Sequence, residues 1–207
     1  NWADSHVPAI LQGWYPGAEG GRAIAEVLFG ERCPEGKLPV TFYHSSEELP
    51  DFEDYGMKGR TYRYMRQQAL YPFGYGLSYT TFGYGDVTVD SARLSQDGVT
   101  LRAKVRNTGT MAGAETVQAY VKIEGEDTPN AQLKGIRKLR LAPGEEEEAV
   151  IHLPREAFGL YDEEGVLRIR KGRARVYLGG QAPDARSEAL TGRKMWALDI
   201  AIPEDMA

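Results

Sequence analysis

In the second half of the chain, apolar and polar residues alternate with a period of two. Val99, Leu101, Ala103 and Val105 interleave with Thr100, Arg102, Lys104 and Arg106, the pattern of a strand with one buried and one wetted face. Val117, Ala119, Val121 and Ile123 repeat it against Thr116, Gln118, Tyr120 and Lys122, and shorter alternating runs cover residues 149–153 and 174–178. Asp97-Gly98, Asn107-Thr108-Gly109, Pro143-Gly144 and Glu164-Gly165 separate these runs with residues that suit turns. Several short strands so spaced predict one all-β antiparallel sandwich over residues 82–207. The acidic run at 145–148 reads as a solvated turn between two strands.

The first part of the chain has a different rhythm. Ala9-Ile10-Leu11 is a short apolar run that reads as the end of a buried strand, followed by the loop Gly13-Trp14-Tyr15-Pro16-Gly17. Residues 19–29 predict a helix, with Ala23, Ile24, Val27 and Leu28 on one face. Glu19 stands near its start, where a carboxylate suits the helix dipole, and Gly30 stands where a helix stops. Residues 36–42 give a turn and then an extended segment. Strand, loop, helix and strand are the unit of an α/β layer, and one such unit cannot cover both faces of a parallel sheet. Residues 1–42 are therefore expected to be the end of a larger α/β domain, an expectation that the non-Met first residue, Asn1, supports.

Residues 43–81 join the two parts. A flexible linker would be rich in Gly and Ser and poor in aromatics. This one carries Tyr62, Tyr64, Tyr71, Phe73, Tyr75 and Tyr79, so it is expected to pack between two domains.

Composition narrows the chemistry. The chain has 207 residues, of which 42% are hydrophobic and 27% charged, enough to bury a core without covalent staples. Its single cysteine, Cys33, excludes an internal disulfide framework. The formal net charge of −5 opposes a nucleic-acid partner held by phosphate neutralisation. No apolar run approaches the roughly 18 residues of a membrane span. His6, His44 and His152 lack ligand spacing, so no metal and no cofactor is expected. Ser5 and Ser78 lack a nucleophile-elbow context. Gly17, Gly20 and Gly21 precede a helix without the spacing of a phosphate loop.

Four motifs in register resemble a known family. Residues 16–30 (Pro16-Gly17-Ala18-Glu19-Gly20-Gly21-Arg22 onward) and 34–42 (Pro34-Glu35-Gly36-Lys37-Leu38-Pro39-Val40-Thr41-Phe42) resemble the carboxyl-terminal region of glycoside hydrolase family 3. Tyr71-Pro72-Phe73-Gly74-Tyr75-Gly76-Leu77-Ser78-Tyr79 looks like that family's link into its last domain. Residues 105–109 and 113–121, continued by 133–139 and 141–145, look like its fibronectin type III-like domain. The resemblance implies an exo-acting β-glycosidase, a β-glucosidase or β-xylosidase, that retains configuration by a two-carboxylate mechanism. It also implies that the aspartate nucleophile and the glutamate acid/base lie outside these residues. The missing barrel and α/β parts would then stand in the same chain or a second one, and a homodimer is compatible with this. A β-linked oligosaccharide or glycoside would be the substrate of the complete enzyme. Export stays open, because a signal peptide would precede Asn1.

A retaining pair needs two carboxyl groups about 5 to 5.5 Å apart, and nothing in the sequence marks such a pair. Glu19, on a strand-to-helix loop, is a candidate for the substrate rim, although it reads first as a helix-start carboxylate. Asp51 and Asp54 read as a solvated loop. Arg60, Tyr62, Arg63 and Tyr64 form a polar and aromatic cluster that suits a sugar, as does Trp14. Packing at a domain interface is the plainer reading of all five, since such rings bury large area and keep a polar tip. From a different class, a non-catalytic carbohydrate-binding or adhesion module would also use a β-sandwich. The α/β part before residue 82 opposes that alternative.

Overall fold

A computed structural model describes residues 2–203. Before Phe82 it contains three short α-helices, α1 (Trp2–His6), α2 (Gly20–Leu28) and α3 (Thr61–Tyr64), and a 3-10 turn at Ser46–Glu48. Nine strands follow: β1 (Phe82–Val89), β2 (Val99–Asn107), β3 (Gly113–Ile123), β4 (Gln132–Leu141), β5 (Glu146–Leu153), β6 (Leu160–Tyr161), β7 (Leu167–Arg168), β8 (Gly172–Gly179) and β9 (Trp196–Ile202). One further helix, α4 (Ala185–Thr191), stands between β8 and β9.

The strands form two main sheets, of order β1-β2-β5 and β4-β3-β8-β9, with β6 and β7 as a small separate hairpin. All neighbours are antiparallel. The chain changes sheet between β2 and β3 and again between β4 and β5, as in immunoglobulin-like sandwiches. Leu101, Val105, Val117, Leu139, Leu153, Val176 and Ile200 meet between the sheets and exclude water almost completely. β2 alternates buried and wetted residues along its length, as its sequence predicts.

Three features depart from the sequence reading. Ala9-Ile10-Leu11 forms no strand and stays exposed, because no strand lies beside it among the described residues to bond its backbone. Residues 146–148 are not a turn but the exposed start of β5. There Lys104 stands opposite Glu148 and Arg106 opposite Glu146, so cross-strand cations offset a run of like charge. Finally, α4 interrupts the all-β region. Asp184 caps it, accepting from Ser187 N at 2.9 Å, and Gly192 closes it in the left-handed region.

The helix expected over 19–29 is α2, flanked by Glu19 and Phe29. Gly30 follows with φ +75°, and its N–H bonds to Val27 O at 3.1 Å while Glu31 N–H reaches Glu26 O at 2.8 Å. Those two bonds are a Schellman closure, which favours glycine at this conformation. Residues 38–42 are extended, and they pair with the connector instead of a sheet. Phe42 bridges Tyr71, Leu38 N donates to Tyr75 O at 2.8 Å, and Gly74 N donates to Leu38 O at 2.8 Å.

The sandwich core should dominate stability. Truncating the fully buried Leu101 to alanine is expected to cost about 2–5 kcal/mol in urea unfolding. Val150→Ala, on the wetted face of β5, should stay within about 0.5 kcal/mol.

Candidate functional site

β3 differs from its neighbours because it is buried on both faces from Gly113 to Val121. Its inner residues fill the sandwich. Its outer residues, Gln118 and Tyr120 among them, lie under the connector, and the two together make a seam.

Aromatic stacking and backbone bonds build one half of this seam. The ring of Tyr62 lies parallel to Phe73 with centroids 4.1 Å apart and meets Tyr120 edge-on at 6.3 Å. Its hydroxyl accepts from Leu133 N at 3.2 Å. Asn130 Nδ2 donates to Tyr62 O at 3.0 Å and Met65 O at 2.8 Å, while Asn130 N donates to Arg63 O at 2.7 Å. The Arg63 guanidinium donates to Gln132 Oε1. Beneath them, Gln118 Nε2 donates to Gly74 O at 3.1 Å, and its Oε1 accepts from Tyr120 OH at 2.6 Å. Burial pushes the Tyr120 phenol far above its ordinary range, so it acts as a neutral donor.

The other half of the seam is charged. Cys33 Sγ lies 3.0 Å from Ser78 Oγ, and Lys37 Nζ donates to Gly76 O at 2.9 Å. Facing them is Glu115, 5% exposed, whose Oε1 accepts from Tyr84 OH at 2.8 Å. Arg193 Nη1 donates to Phe82 O at 3.3 Å and borders the same space. Burial raises the Glu115 acid and lowers the Lys37 ammonium, each partly offset by the charge of the other. A cavity of about 260 Å³ opens beside this group, and a second of about 370 Å³ lies by Tyr62, Phe73, Asn130, Asp184 and Arg186.

The candidates named from sequence therefore separate. Tyr62 and Arg63 are committed to the seam. Arg60 Nη2 pairs with Asp54 Oδ2 at 2.9 Å and ties down the acidic loop before it. Tyr64 is partly buried. Trp14 is half exposed at φ +52°, its ring 6.2 Å from Phe42. Glu19 is exposed at the start of α2, where its carbonyl accepts from Ala23 N at 3.0 Å and its side chain makes no capping bond. Sequence reasoning missed Lys37, Tyr84, Glu115 and Arg193. The available signal was Glu115, a carboxylate in register with the inward-facing Val117, Ala119 and Val121.

Large apolar side chains crowd the surface of the first part. Ile10, Trp14, Tyr15, Phe29, Phe52 and Tyr55 are all exposed, far more than isolated surface residues would be. Among the described residues, no three His, Cys, Asp or Glu side chains converge on a metal position, and no helix is long and apolar enough to cross a membrane.

Residues 1–79 match the model of the glycosyl hydrolase family 3 C-terminal domain, and residues 115–182 match a fibronectin type III-like domain. A xylan 1,4-beta-xylosidase of Xylanibacter ruminicola is 44% identical over 187 residues, covering 88% of this chain and 21% of the relative. A periplasmic beta-glucosidase of Salmonella typhimurium is 38% identical over 191 residues, covering 85% and 25%. Among solved structures, beta-glucosidase 3B of Thermotoga neapolitana, in complex with alpha-D-glucose, matches with a TM-score of 0.78 at 29% identity. That match covers 93% of this chain and 28% of that one. The chain thus spans about a quarter of the length of the curated relatives it matches.

Removing the Tyr62 hydroxyl tests the seam directly. Tyr62→Phe deletes the acceptor of Leu133 N–H and should cost about 0.5–1.5 kcal/mol by urea unfolding. Tyr62→Ala, which also removes the stack on Phe73, should cost more.

Proposed function

Because this chain belongs to the carboxyl-terminal region of glycoside hydrolase family 3, we propose that it is the bracing part of an exo-acting β-glycosidase. The complete enzyme would remove terminal, non-reducing β-linked glucose or xylose with retention. Its two catalytic carboxyl groups would come from the three quarters of the relatives' length that this chain does not span. The single observation behind this reading is the exposed apolar surface of residues 2–57. Bare rings such as Tyr15, Phe29 and Phe52 suit a buried contact with a further α/β layer, and water suits them poorly.

Within that assembly the β-sandwich acts as a clamp. It grips the connector through the seam and so fixes the direction in which α2 and the loop around Trp14 face. Trp14 and Glu19 are the rim candidates left free by the seam, and we keep them as the residues nearest the sugar. Tyr62, Arg63 and Tyr64 serve packing, and Arg60 shapes the loop that carries Phe52 and Tyr55.

Two measurements test this. The chain by itself should hydrolyse nitrophenyl β-glucoside and β-xyloside no faster than blank. Joined to the remaining length of a relative such as the Xylanibacter ruminicola xylosidase, it should support turnover. Hydrolysis by the chain by itself would overturn the bracing role. Oligosaccharide binding by the chain without any hydrolysis in the joined protein would favour a carbohydrate-binding module instead.

A further inference from the structure

A clamp between two packed layers does not require buried charge. Taking a carboxylate and an ammonium out of water commonly costs more than their attraction returns, and an apolar seam would hold at least as well. Lys37, Glu115 and Arg193 nevertheless line one cavity with Tyr84, where residues 33–81 meet the sandwich.

The geometry leaves Glu115 little freedom. It stands near the start of β3, and Tyr84 OH from β1 donates to its Oε1 at 2.8 Å. Gly180 approaches so closely that a Cβ there would fall on the same oxygen. No larger residue fits that position without moving the carboxylate. The nearby cations point elsewhere. Lys37 donates to Gly76 O at 2.9 Å and Arg193 to Phe82 O at 3.3 Å, so both act on Glu115 through space. The titratable and charged groups lining the adjoining cavity are Lys37 and Tyr75 from the first part and Tyr84 from β1. Glu115 comes from β3, and Arg193 and Lys194 from the turn after α4.

We infer that this group is a proton-linked latch: residues 33–81 seat most firmly on the sandwich when Glu115 carries a proton, and the seam opens more readily as Glu115 ionises.

The direction follows from linkage. Lys37, Tyr75, Gly76, Ser78 and Thr80 line the cavity beside Glu115, so parting the seam wets its carboxyl, which then titrates near its ordinary 4.5, whereas the closed seam raises that value by burial. The closed state therefore binds the proton more tightly. Its advantage is complete below the ordinary value and is lost as pH rises through the raised one. Lys37 works at the other end of the scale, because the closed seam lowers its ordinary 10.5 and favours the neutral amine. The seam is consequently weakest between the two, where both groups are charged. The latch rests on the seam alone and is independent of the glycosidase reading.

Cys33 is a built-in reporter. It is the only cysteine in the chain, it is buried, and its Sγ packs 3.1 Å from the position a Cβ would take at Gly113, two residues before Glu115. The test labels the 207-residue chain with dithiodipyridine between about pH 4.5 and pH 8. Each rate is divided by that of the urea-unfolded chain at the same pH, so that the ratio reads seam opening. The ratio should climb with pH, by at most about tenfold per unit, the limit for one proton. Glu115→Gln should flatten the climb. Tyr84→Phe removes a donor that favours the ionised carboxylate in the closed seam, and should extend the climb to higher pH. A flat profile in the unmodified chain, or an unchanged slope in Glu115→Gln, overturns the latch. Should Glu115→Gln lack a native circular dichroism spectrum, Tyr84→Phe decides, and an unmoved profile in that variant overturns the proposal equally.

Discussion

The structure hinges on one strand that must be covered twice. β3 supplies Val117, Ala119 and Val121 to the interior of the sandwich, with Glu115 on that same face near the end of the strand, and it turns Gln118 and Tyr120 toward the connector. Buried polar atoms on either face need partners. The Gly74 carbonyl accepts from Gln118, the Tyr84 hydroxyl donates to Glu115, and the ring of Tyr62 closes over Tyr120. Without residues 60–81 in place, Gln118 and Tyr120 would face water and the aromatic rings of the connector would be bare. The sandwich and the connector thus complete one another.

That dependence explains how a region so poor in regular structure is held against the sandwich. Residues 33–81 contain only short helical turns and one isolated bridge, yet their backbone groups are bonded to the sandwich at many points. Asn130 reaches three carbonyls of residues 62–65, and Arg186 donates to Leu70 O at 3.2 Å. Loops normally lie open to water because their backbone needs partners. Here side chains of the sandwich supply them to residues 62–74, and Met65, Leu70, Pro72 and Gly74 are buried there. The first thirty residues show the opposite condition. α2 is well formed and capped, but Leu28 and Phe29 find nothing to cover them. The role proposed above, within a larger glycosidase, would cover these side chains.

Where a strand has one dry and one wet face, its sequence revealed it. β2 is an example, with Val99, Leu101, Ala103 and Val105 buried and the basic residues between them outside. The turns at Gly98, Gly144 and Gly165 were equally legible, and each of these glycines adopts positive φ. The start and stop of α2 followed from its composition. So did the family, since its motifs run in order along the chain. α4 was legible in principle from Asp184 and Gly192, but its seven residues were too few to show a helical period.

The tertiary structure decided the rest, because burial is a property of neighbours. Alternation in 116–123 predicted that Gln118 and Tyr120 would face water, and the connector buries them instead. The same fold separated Arg60, Tyr62 and Arg63, which lie together in sequence, by giving each a different partner. It also brought Lys37, Tyr84, Glu115 and Arg193 together from four distant places in the chain. Local pattern fixes which residues can form a strand, a turn or a helix. Only the assembled layers determine which polar groups lose water and which charges must share the space that remains.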